Sequence, residues 1–456
     1  MLPVGLQTAD ILVKRCTGHC GTHFTTGEKP LTNREMSTNH YNWEIGKPLP
    51  IIGQHSLAKH RIIDRYLREY IKVCTATPVQ EKLNLAVIDG FCGGGVYDFL
   101  GERVPGSPMV LLNAITQMEE ELNKSRPKGF EIRTDFVFID LDRRNTEFLR
   151  AEIESSPFRD RLDKSIFIWT DDFNDRVEDA IAIVKRLSTK GRSIWLLDQY
   201  GWSDVAFRSM RKVLSALEKA EIFLTFSVDS LIDYMSEKRL EQRGYRDVEL
   251  DPGFVREILA EKGEGDGWRT LIQNTLYSHL VDKTGAEFYS PFFIHSSEAH
   301  RSYWFLHLSR HREARNVIGT IHWEESTVSL HHGRAGLQAL GFERGADPRQ
   351  LDLPYGFDAA AKERSIATLM EQIPRRISDA IDADLAPSLE MLFGHHCNDT
   401  PVTRDIIEQV LLMLRDEKEI KIEDAIGKEK PRARSVAWSD RFVRARQRSL
   451  FSKLGT

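Results

Sequence analysis

The sequence predicts a doubly wound, mostly parallel α/β sheet followed by a small winged-helix-like module. Three observations predict it. Five short apolar runs alternate with helical patterns between residues 83 and 228. The first run ends in Asp89 and opens into Gly90-Phe91-Cys92-Gly93-Gly94-Gly95, four glycines among six residues. Near the C-terminus, a helix and a strand-like stretch lead into a strongly basic segment.

Taken in order, residues 1–45 lack a clear period and read as a flexible extension. Residues 55–73 form an amphipathic helix, with Leu57, Ile62, Tyr66, Leu67, Tyr70 and Ile71 mostly on one face. The apolar runs are 83–89, 135–140, 165–169, 193–198 and 222–228. They are continuous rather than alternating, as strands covered on both faces must be. Helical patterns at 107–122, 145–154, 174–189 and 204–219 separate them, which is the alternation of a parallel sheet. Residues 229–283 read as helical. The runs 287–294 and 302–308 then suit an antiparallel edge, and 310–325 a closing helix. A helical connector spans 326–400. A basic unit at 401–456 holds a helix at 402–416 and a strand-like KEIKI at 418–422. The expected domains are therefore 46–325 and 401–456.

Composition bounds the function. The 456 residues carry 63 Lys and Arg against 68 Asp and Glu, so any polyanion site is a local patch. No run reaches the roughly 18 apolar residues of a membrane span. The N-terminus shows no signal-peptide pattern, and five scattered cysteines fit a reducing cytoplasm. There is no G-x-x-x-x-G-K-[ST], which excludes a P-loop. Cys16 and Cys20 near His19 and His23 do not have the ligand spacing of a zinc finger. His307 with His311, and the pairs His331-His332 and His395-His396, lack completing ligands, so no metal is expected. Cys92 reads as a small packing residue rather than a nucleophile.

Candidate chemistry sits at the strand ends. In a doubly wound sheet, ligands bind beyond the carboxyl ends of the strands where strand order reverses. Gly90, Gly93 and Gly95 let backbone approach a ligand, and Asp89 would orient it. Asp140, with Asp142 behind it, would take ribose hydroxyls. Asp171 and Asp172 would take an adenine amino group. Asp198 and Tyr200, in Leu197-Asp198-Gln199-Tyr200-Gly201-Trp202, stand where a transferase aims at its acceptor. Each position has a structural alternative: tight packing for the glycines, helix capping or turn-making for the carboxylates.

Together these strand ends resemble class I S-adenosylmethionine (SAM)-dependent methyltransferases. More specifically, the chain resembles the bacterial three-Cys-motif partner protein family (TcmP) over roughly residues 50–325. The matching stretches are Lys59-His60 and Tyr66 in the leading helix, the 88–95 loop, Gly106-Ser107-Pro108, the 197–202 turn, and WFLHLSRHREA at 304–314. The chain departs at Cys92 and Gly94, where that family tends to Ala and Pro. It departs again at Asp198-Gln199-Tyr200, in place of Asp-Pro-Phe. The resemblance implies a Rossmann-like methyltransferase fold, SAM as cofactor, and a partner protein bearing three cysteines.

The basic segment carries Lys428, Lys430, Arg432, Arg434, Arg441, Arg444, Arg446, Arg448 and Lys453, interleaved with Trp438, Phe442 and Phe451. A basic wing of this kind attracts phosphate backbones; a solvated tail is the alternative. The expected function is a SAM-dependent methyltransferase acting on or near nucleic acid. The competing expectation is a non-catalytic Rossmann scaffold that binds nucleotide or partner, with a nucleic-acid-docking C-terminal domain.

Overall fold

The computed structural model describes residues 41–262, 268–296, 301–324, 329–330, 335–337, 357–394 and 397–445. The expectations for residues 1–40, His331-His332, His395-His396, Arg446, Arg448, Phe451 and Lys453 lie outside them.

The chain opens with α1 (Gln54–Cys74) and β1 (Lys82–Asp89), then a short hairpin of β2 (Val96–Phe99) and β3 (Glu102–Pro105). There follow α2 (Ser107–Ser125), β4 (Glu131–Asp140), α3 (Arg143–Glu154), β5 (Ile166–Thr170), α4 (Phe173–Leu187), β6 (Ser193–Leu197), α5 (Phe207–Ala216) and β7 (Ala220–Phe226). Four helices come next: α6 (Val228–Tyr234), α7 (Arg243–Asp247), α8 (Pro252–Glu261) and α9 (Trp268–Thr284). Then β8 (Phe288–Ser296), β9 (Arg301–Ser309), α10 (Arg312–Glu324) and β10 (Ser329–Leu330) complete the first domain. The second holds α11 (Ala359–Asp382), α12 (Arg404–Asp416), β11 (Ile420–Glu423) and β12 (Arg441–Arg444).

Among the described residues, eight strands form one sheet in the order β10-β8-β9-β7-β6-β1-β4-β5. β5, β4, β1, β6 and β7 run parallel, while β9 is antiparallel to both β7 and β8. Strand order reverses at β1, whose neighbours are β4 and β6. This is a doubly wound, mostly parallel Rossmann-like sheet with an antiparallel edge. The apolar strands are covered on both faces. One face buries residues of α1, α2, α3 and α10, and the other those of α4, α5, α6 and α9. No described helix is long and apolar enough to cross a membrane.

Two parts of the chain differ from expectation. Residues 42–45 are not loose chain: Trp43 is buried, and its indole Nε1 donates to the Val96 carbonyl at 2.5 Å. The stretch read as a connector contains α11, which lies in the same apolar core as α12, β11 and β12. Leu369, Ile373 and Ile377 of α11 share that core with Ile407, Val410, Leu411 and Phe442, and α11 packs against α12 and β12. The winged helix therefore begins well before residue 401.

The two domains are bolted together. Arg315, on α10 and almost wholly buried, donates to the Val402 carbonyl at 2.8 Å and to that of Thr400. Trp323 Nε1 donates to the Pro401 carbonyl at 2.9 Å, and the Arg404 N–H to Asn316 Oδ1 at 2.7 Å. Trp438 donates to Glu313 Oε1 at 3.0 Å, with the Arg312 guanidinium 4.2 Å from its ring centre.

Candidate functional site

The switch at β1 brings the ends of β1, β4, β5 and β6 to one edge of the sheet. Asp89, Asp140, Asp171 and Asp198 follow from that topology, since each closes or immediately follows one of those strands.

Asp89 is fully buried. One carboxylate oxygen accepts the Phe91 N–H at 3.2 Å, and the other meets no donor in good hydrogen-bonding geometry, with the Ser107 hydroxyl beside the carboxyl. Burial is the largest influence on it and pushes its pKa to about 7. The negative charges of Asp198 and Asp140 add to that rise, while Ser107 and the Phe91 N–H oppose it. A buried carboxylate oxygen without a well-aligned donor is costly and has a standing affinity for a cation.

The glycine turn is tightly built. Gly93 and Gly95 adopt φ of +58° and +82°, conformations glycine takes without strain. Packing against the protein's own side chains accounts for the glycines themselves. A Cβ on Gly93 would stand 2.6 Å from Trp43, one on Gly94 2.3 Å from Trp43, one on Gly90 2.9 Å from Phe173 and Leu197, and one on Gly95 2.6 Å from Leu149. The space is filled by side chains, so it is the carboxylates around the turn that speak for a ligand.

Asp140 ties the turn to β4. Its Oδ2 accepts the Gly93 N–H at 2.9 Å, and its Oδ1 accepts the Asp142 N–H at 2.8 Å and the Asn145 amide at 3.0 Å. A carboxylate offers about four acceptor positions. With three used, Oδ2 retains one, enough for a single hydroxyl rather than the two-hydroxyl grip expected from sequence. Burial pushes this carboxyl above its usual range, against the pull of those donors. Asp142 caps α3 through the Arg144 N–H and pairs with the Arg144 side chain.

Asp172 and Asp171 divide the roles proposed for them. Asp172 caps α4 by accepting the Asn174 N–H at 2.8 Å, and its other oxygen meets Arg243 at 2.9 Å. Asp171 keeps an oxygen only loosely approached, with Arg176 at 3.9 Å. The Arg176 guanidinium lies 4.2 Å from the centre of the Trp169 ring. Asp171 is thus the carboxylate on β5 with room for a ligand amine.

At the end of β6, Asp198 pairs with Lys59 at 2.5 Å. Burial pulls the Asp198 pKa up, but the Lys59 charge and hydrogen bond, with His60 adding, outweigh it and hold the carboxyl below its usual range. His60 is buried beside them, and its Nδ1 has no partner. Burial, the largest influence, lowers its pKa to about 4; Asp198 raises it and Lys59 lowers it further. Gln199 is buried, its Oε1 accepting the N–H groups of Asp204 and Val205 at 2.9 and 3.0 Å. Tyr200 is exposed on that loop. Lys59 and His60 had no site role from residue type or spacing, because α1 meets β6 only in three dimensions. Among the described residues, no group of three or more His, Cys, Asp or Glu is placed to hold a metal ion.

On the second domain, Lys428, Arg432, Arg434 and Arg441 are exposed. Lys430 is taken by Asp440 at 2.5 Å and Arg444 by Asp382 at 2.7 Å. Phe442 is in the core, and Trp438 stacks on Phe393 at the domain junction, so neither offers a face to a base.

Strand order and the antiparallel edge define a doubly wound Rossmann-like fold, and the C-terminal domain is a winged helix. Residues 345–427 match the model of the GMT-like wHTH domain. None of the curated proteins matches the chain. Solved structures similar to it include the following three. Protein LPL1258 from Legionella pneumophila is 10% identical over 57% of this chain and 91% of its own, with a TM-score of 0.32. The DszA carbon methyltransferase is 13% identical over 57% and 55%, with a TM-score of 0.31. The N-terminal domain of human METTL16 in complex with SAH is 10% identical over 59% and 76%, with a TM-score of 0.28.

Proposed function

We propose that the protein is a cytoplasmic SAM-dependent methyltransferase whose acceptor is nucleic acid or a protein bound to it. In this reading a three-Cys-motif partner protein works beside it. The single observation that carries the cofactor is Asp89. Its oxygen without a well-aligned donor lies under the glycine turn at the strand-order switch, where an ammonium or an ammonium-bound water would satisfy it. The other residues fit the same ligand. Asp140 has one acceptor position for a ribose hydroxyl, and Asp171 has an oxygen for the adenine amino group.

When bound, SAM supplies an electrophilic methyl group. The chain's contribution is alignment and exclusion of water. Asp198, kept ionised by Lys59, accepts a hydrogen bond from the acceptor and orients its lone pair. Its depressed pKa makes it a positioning group rather than a strong base. His60 stays neutral near pH 7 beside it. Tyr200 offers a ring on the open side of the same loop.

The test is transfer of radiolabelled methyl from SAM to duplex DNA, single-stranded DNA and RNA, with and without the partner. Incorporation that Asp198→Ala reduces supports the reading. SAM binding with no transfer to any acceptor would favour the non-catalytic scaffold.

A further inference from the structure

The winged helix keeps the wrong end of its second helix free for groove reading. In a helix-turn-helix module, the N-terminal residues of the recognition helix contact base edges. In this chain that helix is α12, and the segment leading into it is pinned to the first domain, with Asp405 in its first turn facing solvent. Arg315 holds the carbonyls of Thr400 and Val402 just before it, Trp323 holds that of Pro401, and Asn316 accepts the Arg404 N–H. The Arg404 side chain is also committed, donating to the Val436 carbonyl at 3.0 Å with its guanidinium 5.1 Å from the centre of the Trp438 ring.

The exposed side of α12 has the wrong charge as well. Asp405, Gln409, Met413 and Asp416 face solvent, with Glu408 half-exposed beside them. The cation at its far end, Arg415, donates to the Ala433 carbonyl at 2.5 Å and pairs with Asp416 at 2.6 Å. Duplex DNA carries roughly one negative charge per 1.7 Å of axis, so this row would meet phosphates with carboxylates.

The hairpin between β11 and β12 is built the other way. Its acidic residues are occupied: Glu429 pairs with Lys421 at 2.8 Å, Asp440 with Lys430, and Asp424 accepts the N–H groups of Ile426 and Lys428. Lys428, Arg432 and Arg434 stay exposed with no carboxylate partner among the described residues, and Arg441 follows on β12.

We propose that this module holds nucleic acid by its wing, through the sugar-phosphate backbone, with α12 outside the groove and no base read by it. The proposal rests on the nucleic-acid reading above. It makes the winged helix a fixed, sequence-tolerant clamp that presents any duplex to the catalytic edge, rather than a module that selects a site.

The test is fluorescence anisotropy of the full chain, without cofactor, against two short duplexes of unrelated sequence. The wild type should bind both alike. Replacing Lys428, Arg432 and Arg434 together by Ser should weaken binding on the order of a hundredfold near physiological salt and flatten the salt slope by about 2.7. Replacing Asp405, Gln409 and Met413 together by Ala should leave affinity within about twofold, since surface changes away from a contact are close to neutral. Equal loss from the α12 variant, unchanged binding by the wing variant, or no binding of either duplex at low salt would each overturn the proposal. Because cofactor is left out, those outcomes are separate from failure to bind SAM.

Discussion

Lys59 Nζ stands 2.5 Å from Asp198 Oδ1, joining the first turns of α1 to the end of β6 across the mouth of the candidate site. The Lys59 side chain is almost wholly buried and that of Asp198 about three-quarters so. Breaking a buried pair by removing one partner costs about 3–5 kcal/mol because the other charge is stranded. Partial exposure of Asp198 places the expected loss for Lys59→Met nearer 2–3 kcal/mol in urea unfolding. The Lys59→Met, Asp198→Asn double variant should lose less than the sum of the two singles. Strict additivity would show that the pair is not coupled.

Trp43 and Gly94 form a second coupled pair. A methyl on Gly94 would stand 2.3 Å from the indole, so Gly94→Ala should destabilise by about 1–3 kcal/mol through overpacking. Trp43→Ala should cost about 3–5 kcal/mol through the cavity it leaves. In the double variant the new methyl enters that cavity, and a double-mutant cycle should show a favourable coupling of about 1 kcal/mol or more. No coupling would mean that Trp43 does not cover the turn.

Two buried groups give opposite pH dependences. Asp89 titrates at about 7 when folded, against about 3.9 in an unfolded chain. Its contribution is full below the unfolded value and is lost as pH rises through about 7. His60 titrates at about 4 when folded, against about 6.5 unfolded. Its contribution is present above the unfolded value and is lost as pH falls towards about 4. Relative to wild type, Asp89→Asn should therefore make stability rise more with pH across this window. His60→Gln should make it fall more. Urea unfolding at several pH values reads both slopes, and slopes shifted in the same direction would refute the assignment.

The docked winged helix should not melt alone. Arg315 gives two buried carbonyls their donor, so the full chain should unfold with both domains in one transition. Arg315→Met leaves those carbonyls unpaired, at about 1–3 kcal/mol each, and should separate the transitions in a calorimetric scan. Two transitions in the wild type would contradict the rigid junction.

The strands, the glycine turn and the strand-end carboxylates were legible because each is a local signal: a continuous apolar run, a turn residue, an acid at a run's end. What was not legible depends on distant segments meeting. Lys59 and His60 look like ordinary polar positions on an amphipathic helix until α1 is laid over β6. Trp43 sits in a stretch without period, and its burial comes from the turn it covers. The β2–β3 hairpin was missed because its strands are four residues each, and the burial of β3 is slight. In the second domain, the helical character of 326–400 was legible, with Leu369, Ile373 and Ile377 at helical spacing, but not that α11 packs into the winged helix, because that depends on where α12, β11 and β12 lie. The basic residues were visible, but which of them are spent on Asp440 and Asp382 was not.

The most direct measurement is calorimetric titration of SAM into the purified full chain and into Asp89→Asn, above the Asp89 pKa of about 7. The account predicts saturable binding by the wild type. It predicts a loss of about tenfold or more in the variant, since a hydrogen bond to a charged group contributes roughly 1.5–3 kcal/mol. The variant should fold at least as stably as the wild type at that pH. Binding as tight in Asp89→Asn as in the wild type, or no binding at all by folded wild-type protein, would contradict it.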